Sequence, residues 1–79
     1  MLRLINIKKS ENTITAEYIP EDSNEVGMVE LSCETSSIIS CLKTDFDKTA
    51  EMYLTQAASA LRKILSEPEV PKTRLVMWY

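Results

Sequence analysis

Two cysteines, a close pair of carboxylates and one acidic loop are the side chains here whose type and spacing could do chemistry. Cys33 and Cys41 are the only cysteines, and the chain has no histidine. The commonest general base and the commonest transition-metal ligand are therefore missing. Two lone thiols with seven residues between them match no zinc spacing. A cysteine nucleophile would need another base, and both thiols fall in stretches that read as strands, where packing explains them. Asp45 and Asp47 could be imagined as an acid/base or metal pair, but they stand at a helix start, where capping accounts for them. The loop carrying Glu21, Asp22 and Glu25 could hold a divalent cation loosely, yet it lacks the ligand spacing of a calcium loop. No catalytic, cofactor-binding or metal-ligating set is expected, and the chain reads as a non-enzyme.

A disulfide between Cys33 and Cys41 is disfavoured by parity. If residues 34–37 form a hairpin turn, Cys33 pairs with Ile38 and Cys41 lies opposite Glu30, which puts the thiols on opposite faces of the sheet. A turn one residue longer or shorter would place them on the same face, though still not opposite each other. Free thiols in a reducing compartment are the expectation.

The elements that would position these groups centre on residues 46–65. With 100° per residue from Ala50, Phe46, Tyr53, Leu54, Ala57, Leu61, Ile64 and Leu65 fall within about 60° on either side. Lys48, Thr55, Ser59, Arg62 and Ser66 fall opposite, with Met52 the one apolar residue among them. Thr44 or Asp45 can cap the start, Arg62 and Lys63 suit the end of the dipole, and Pro68 stops the helix. One apolar stripe on one helix needs an opposing layer.

The rest of the chain supplies it as strands. Residues 2–8 carry Leu2 and Leu4 on one face and Ile5 and Ile7 on the other, and residues 9–12 suit a turn. Residues 13–19 alternate Ile14, Ala16 and Tyr18 against Thr13, Thr15 and Glu17. Residues 20–25 form a loop. In residues 26–33, Val29, Leu31 and Cys33 share a face. Gly27, the only glycine, marks a bulge or a close approach of a neighbouring backbone. Residues 38–43 form a shorter fourth strand or remain irregular. After the helix, residues 73–78 form the last strand, with Leu75 and Met77 alternating with Val76 and Trp78. The predicted fold is α+β: a mostly antiparallel sheet of four or five strands with one helix on one face, in the order β-β-β-(β)-α-β. The last strand lies beside the first, antiparallel to it, giving the order 5-1-2-3-4; the alternative sets it beside the fourth by a parallel crossover.

Composition narrows the function. Seventy-nine residues, 44% hydrophobic and 27% charged, make a single folded domain with a modest core. No apolar run reaches the ~20 residues of a membrane span. The apolar residues 1–7 are followed, not preceded, by Lys8 and Lys9, which does not fit a secretory signal; the expected location is the cytoplasm. Seven acids and no base lie between Glu11 and Glu34, whereas residues 62–79 hold four bases and two acids. That acidic stretch either lies beside the chain's own basic segments or meets a basic protein partner, with Glu21, Asp22 and Glu25 at its centre. Lys72, Arg74, Trp78 and Tyr79 are too few to argue for nucleic acid.

One helix covers one sheet face, but the first and last strands are apolar on both. The simplest cover for the second face is another copy of the chain, in a homodimer with Trp78 near its centre beside Val76, Leu2 and Leu4. The alternatives are a sheet curled enough to bury those residues itself, and a small-ligand site in the gap between helix and sheet. The segments LINIKK (4–9), AEYIPEDS (16–23) and VMWY (76–79) resemble small uncharacterised proteins of clostridia and related Firmicutes. The resemblance implies a bacterial, cytoplasmic protein and carries over no active-site residue.

Overall fold

Alternation of apolar and polar residues builds five strands, and the computed structural model, which describes residues 2–20, 25–42 and 52–77, shows how they pair. The strands are β1 (Leu2–Lys9), β2 (Thr13–Pro20), β3 (Gly27–Ser32), β4 (Ile38–Leu42) and β5 (Arg74–Val76), with one helix, α1 (Met52–Leu65), before β5. The sheet is antiparallel throughout, in the order β4-β3-β2-β1-β5. This is the α+β fold and the strand order expected from the sequence, with the last strand antiparallel to the first. Residues 46–51 of the anticipated helix, together with Thr44, Asp45 and Asp47, lie outside the described residues.

The helix covers one face. Leu54, Ala57, Ala58, Leu61 and Ile64 are buried against Leu2, Leu4, Ile7, Ile14, Ala16, Tyr18, Val29 and Leu31. Burial of a side chain such as Leu61 or Ile64 contributes about 1.5–3 kcal/mol. The solvent side of α1 bears Thr55, Arg62 and Lys63. Arg62 also ties the helix to the β3–β4 turn, since its Nε donates to the Ser36 carbonyl at 2.8 Å.

Which strand residues face α1 is decided by a bulge in β1. Ile5 pairs with Glu17 and Lys8 with Thr15, so β1 spends one residue more than β2 over this interval. Asn6 takes the left-handed conformation there, at φ 51°. Asparagine tolerates that region better than most residues, and its Nδ2 donates to Glu17 Oε1 at 2.7 Å. The bulge turns Ile7 to the same side as Leu2 and Leu4. Strand β1 is therefore not apolar on both faces in the way its sequence suggests: three of its apolar residues enter the core, and only Ile5 stays outside, half-buried.

Gly27 marks a close approach, made by a side chain and not by a backbone. It pairs with Tyr18 across the sheet. A Cβ on Gly27 would lie 2.3 Å from Tyr18 Cζ and 2.4 Å from Cε1. The glycine has no positive φ, so space alone selects it.

The β3–β4 turn is one residue earlier than anticipated. Ser36 N donates to Ser32 O and Ser32 N to Ser37 O, which closes a four-residue loop over 33–36 with Ser36 at φ 61°. The Ser32 hydroxyl oxygen accepts from the amides of Glu34 and Thr35 and so holds the first half of the loop. A second bulge shifts the register between Glu30 and Leu31, so Cys41 faces Val29 and not Glu30. Cys33 packs against the core on that same side of the sheet. The two thiols thus share a face because of this bulge, since moving the turn alone would leave Cys41 opposite Met28 on the other face, and both are free.

At the other end, the exit from α1 is clamped. Ser66 and Glu67 amides donate to the Lys63 and Ile64 carbonyls, closing the last turn. The carboxylate of Glu67 then takes a two-pronged bond from Arg74, at 2.7 and 3.0 Å, which fixes the connection to β5. This bond from the guanidinium holds the Glu67 carboxyl below its ordinary range and raises Arg74.

Candidate functional site

The face of the sheet that α1 does not cover is the surface with most to explain. Cross-strand partners share a face, so the register reads it out in rows. The first row is Leu75, Arg3 and Ile19 on β5, β1 and β2. The second is Ile5, Glu17, Met28 and Leu42 on β1 to β4. The third is Lys8, Thr15, Glu30 and Ser40, and a fourth holds Thr13 and Ser32. Val26, one step from the inward Gly27, extends the first row, and Met77 lies two residues beyond Leu75.

The face is divided. Its first two rows are apolar apart from Arg3 and Glu17, and Met28, Leu42 and Leu75 are 38%, 62% and 53% exposed. Its last two rows are hydroxyls and charges. The two charges in the apolar half are not paired with each other. Glu17 accepts from Asn6, and Arg3 is exposed and makes no ion pair with a described residue.

The residues proposed for this face from sequence stand elsewhere. Leu2 and Leu4 are buried, 1% and 0% exposed, under α1. Val76 pairs with Leu2 and is half-buried against the same core. The three do lie on one face, but it is the covered one. The reason is the bulge: counting back from the Lys9–Ile14 pair without interruption would set Ile5 opposite Tyr18 and leave Leu2 and Leu4 outside. Trp78, Glu21 and Asp22 lie outside the described residues. Glu25 is half-buried and engaged in an interaction. Arg3, Ile5, Ile19, Met28 and Leu75 were the residues to find. The Lys9–Ile14 turn register combined with Asn6, a residue suited to a bulge between two isoleucines, is the signal that points to them.

Other features offer less chemistry. A groove of about 290 Å³ runs between α1 and β5, with Gln56, Ser59, Lys63 and Arg74 on its polar side. It is open to solvent, and its Arg74 is taken by Glu67. A depression of similar size sits over the β1 bulge, lined by Asn6, Lys8, Thr15, Glu17 and Met28. Among the described residues no cluster of His, Cys, Asp or Glu could hold a metal ion, and no helix is long and apolar enough to cross a membrane. Comparison with protein-family models, with curated proteins and with solved structures finds no match to this chain.

Proposed function

We propose that this protein is a non-enzymatic interaction module that works as a homodimer through the sheet face opposite α1. The observation that supports the reading is the gathering of Leu75, Ile19, Val26, Ile5, Met28 and Leu42 into two adjacent rows of one exposed face. A contiguous apolar patch rimmed by polar rows is how an association surface is built. A chain of this size also gains much from a second copy, because its own core is small. Its two free thiols suit a reducing compartment, and we place it in the cytoplasm.

Native mass by light scattering, at two protein concentrations, tests the reading. The wild-type chain is expected at twice its monomer mass, and Met28→Lys, which sets a charge in the middle of the apolar rows, at the monomer mass with an unchanged circular dichroism spectrum. A monomeric wild type at the higher concentration, or a Met28→Lys dimer, would sink it. A second reading uses the groove between α1 and β5 as a small-ligand site, with the exposed Lys63 as its cationic contact. It requires a small anion that raises Tm in the wild type and not in Lys63→Ala.

A further inference from the structure

We infer that the two copies meet through a checkerboard of four residues, Arg3, Ile5, Glu17 and Ile19, with each Arg3 seated on Glu17 of the other copy. The inference rests on the open-face homodimer proposed above and specifies how that face recognises itself. Arg3 pairs with Ile19 and Ile5 with Glu17 on adjacent strands. The four therefore form a block in which the charges occupy one diagonal and the isoleucines the other.

This block is self-complementary under a two-fold axis. In a C2 interface, if residue i touches residue j of the other copy, j touches i. An axis lying between the two sheets, along the isoleucine diagonal, sets Ile5 on Ile5 and Ile19 on Ile19. It carries Arg3 onto Glu17 and Glu17 onto Arg3, which closes two equivalent ion pairs around an apolar centre. Strand spacing of about 4.8 Å and a rise of about 3.3 Å per residue place that diagonal well off the strand direction. The strands of the two copies then cross nearer to the orthogonal class of sheet packing than to the aligned one.

Three observations favour this arrangement over a plain apolar contact. Among the described residues Arg3 and Glu17 are the only charges in the apolar rows, and they are of opposite sign. They are diagonal neighbours, about 7–8 Å apart at the backbone, yet they do not pair within the chain. Glu17 is instead held by the Asn6 amide at 2.7 Å, which fixes an acceptor on the face while Arg3 stays exposed. An unmatched charge at either position would be left desolvated in an apolar interface. A second copy supplies an opposite charge at both.

Charge reversal distinguishes the outcomes. Arg3→Glu presents two acids and Glu17→Arg two bases, so each variant alone should dimerise at least ~100-fold more weakly than the wild type, like charges being set against each other. Mixed in equal amounts they should associate within about tenfold of wild-type affinity, because each copy now complements the other. Arg3→Glu/Glu17→Arg in one chain should do the same. Single reversals that leave the dimer within about threefold of wild type, while Met28→Lys abolishes it, would overturn the ion-pair block and leave the open-face dimer standing. Mixed variants that stay monomeric, with native circular dichroism spectra, would also overturn it. A wild-type chain that is monomeric removes both readings.

Discussion

Replacing Gly27 with alanine should destabilise the fold, and shortening Tyr18 should turn that same replacement into a gain. A methyl carbon at Gly27 would sit 2.3 Å from Tyr18 Cζ, 2.4 Å from Cε1 and 2.7 Å from the hydroxyl oxygen. Ordinary carbon contacts lie at about 3.5–4.0 Å, so the ring would have to retreat by more than an ångström. Tyr18 is fully buried and has nowhere to go without moving its neighbours. Overpacking of this kind costs about 1–3 kcal/mol. Against it stands the benefit of removing a glycine whose backbone needs no positive φ, about 0.4–1 kcal/mol from the unfolded chain. The net loss for Gly27→Ala should be about 0–2.6 kcal/mol, centred on about 1.3 kcal/mol. A 79-residue domain holds about 4–12 kcal/mol in all, so the change is large but survivable.

Urea unfolding at one fixed protein concentration is the assay, since the proposed self-association would make the apparent stability depend on concentration. Tyr18→Leu removes the ring atoms that a methyl at position 27 would strike; Tyr18→Phe keeps Cζ and Cε1 and loses only the hydroxyl. In the Leu background Gly27→Ala should be neutral to stabilising by up to about 1 kcal/mol. In the Phe background most of the penalty should remain. The coupling between positions 18 and 27 would then be about 1–3 kcal/mol, within the range for residues in contact. An equal cost of Gly27→Ala in the wild-type and Leu backgrounds, with unchanged m-values, would refute the argument that the ring selects the glycine.

Asn6→Gly should shift the urea midpoint little, because glycine accepts φ 51° freely, whereas Asn6→Val should cost about 1–2 kcal/mol for forcing a β-branched residue into the left-handed region; equal effects of the two would deny the bulge its backbone origin. The Glu67–Arg74 clamp should show a defined pH dependence. Because the folded Glu67 titrates below its ordinary value, its contribution is complete above the unfolded pKa of about 4.3. It disappears as the pH falls through the lowered folded value. The stability gap between wild type and Glu67→Gln should therefore be constant from pH 6 to 8 and begin to narrow as the pH falls through about 4.3; a gap that does not narrow with further acidification would point away from the ion pair.

The strand order was legible because each connection carries its own signal. The polar residues after Lys9 make a tight turn, and the helix returns the chain across the sheet, so that β5 can lie antiparallel beside β1. The core face of β2 was equally plain, since Ile14, Ala16 and Tyr18 alternate with Thr13, Thr15 and Glu17. What local pattern left open was which side of β1 and β5 joins that face. Leu2, Leu4 and Val76 form one apolar set, and Ile5, Ile7, Leu75 and Met77 another, and burial favours both. An unbulged hairpin from the Lys9–Ile14 pair selects the second set, and the bulge at Asn6 selects the first while keeping Ile7. The turn over 33–36 was misplaced for a similar reason: its closure depends on Ser36 adopting φ 61° and on the Ser32 hydroxyl. Serine types alone do not announce either feature.

The same asparagine links the fold to the proposed recognition. By adding one residue to β1, Asn6 lets Leu2, Leu4 and Ile7 all reach the helix, so the core takes three large apolar side chains from a strand that simple alternation would have split two and two. The two it leaves outward before the bulge, Arg3 and Ile5, are the β1 half of the checkerboard. Its amide then holds Glu17, the acid of the β2 half. A regular β1 would exchange these roles, setting Leu2 and Leu4 on the open face and turning Arg3 and Ile5 inward. The bulge thus sets Arg3 diagonal to Glu17 among the apolar residues, where one two-fold arrangement of two copies satisfies both charges. In a small domain, that is how an exposed apolar face can favour one partner over general aggregation.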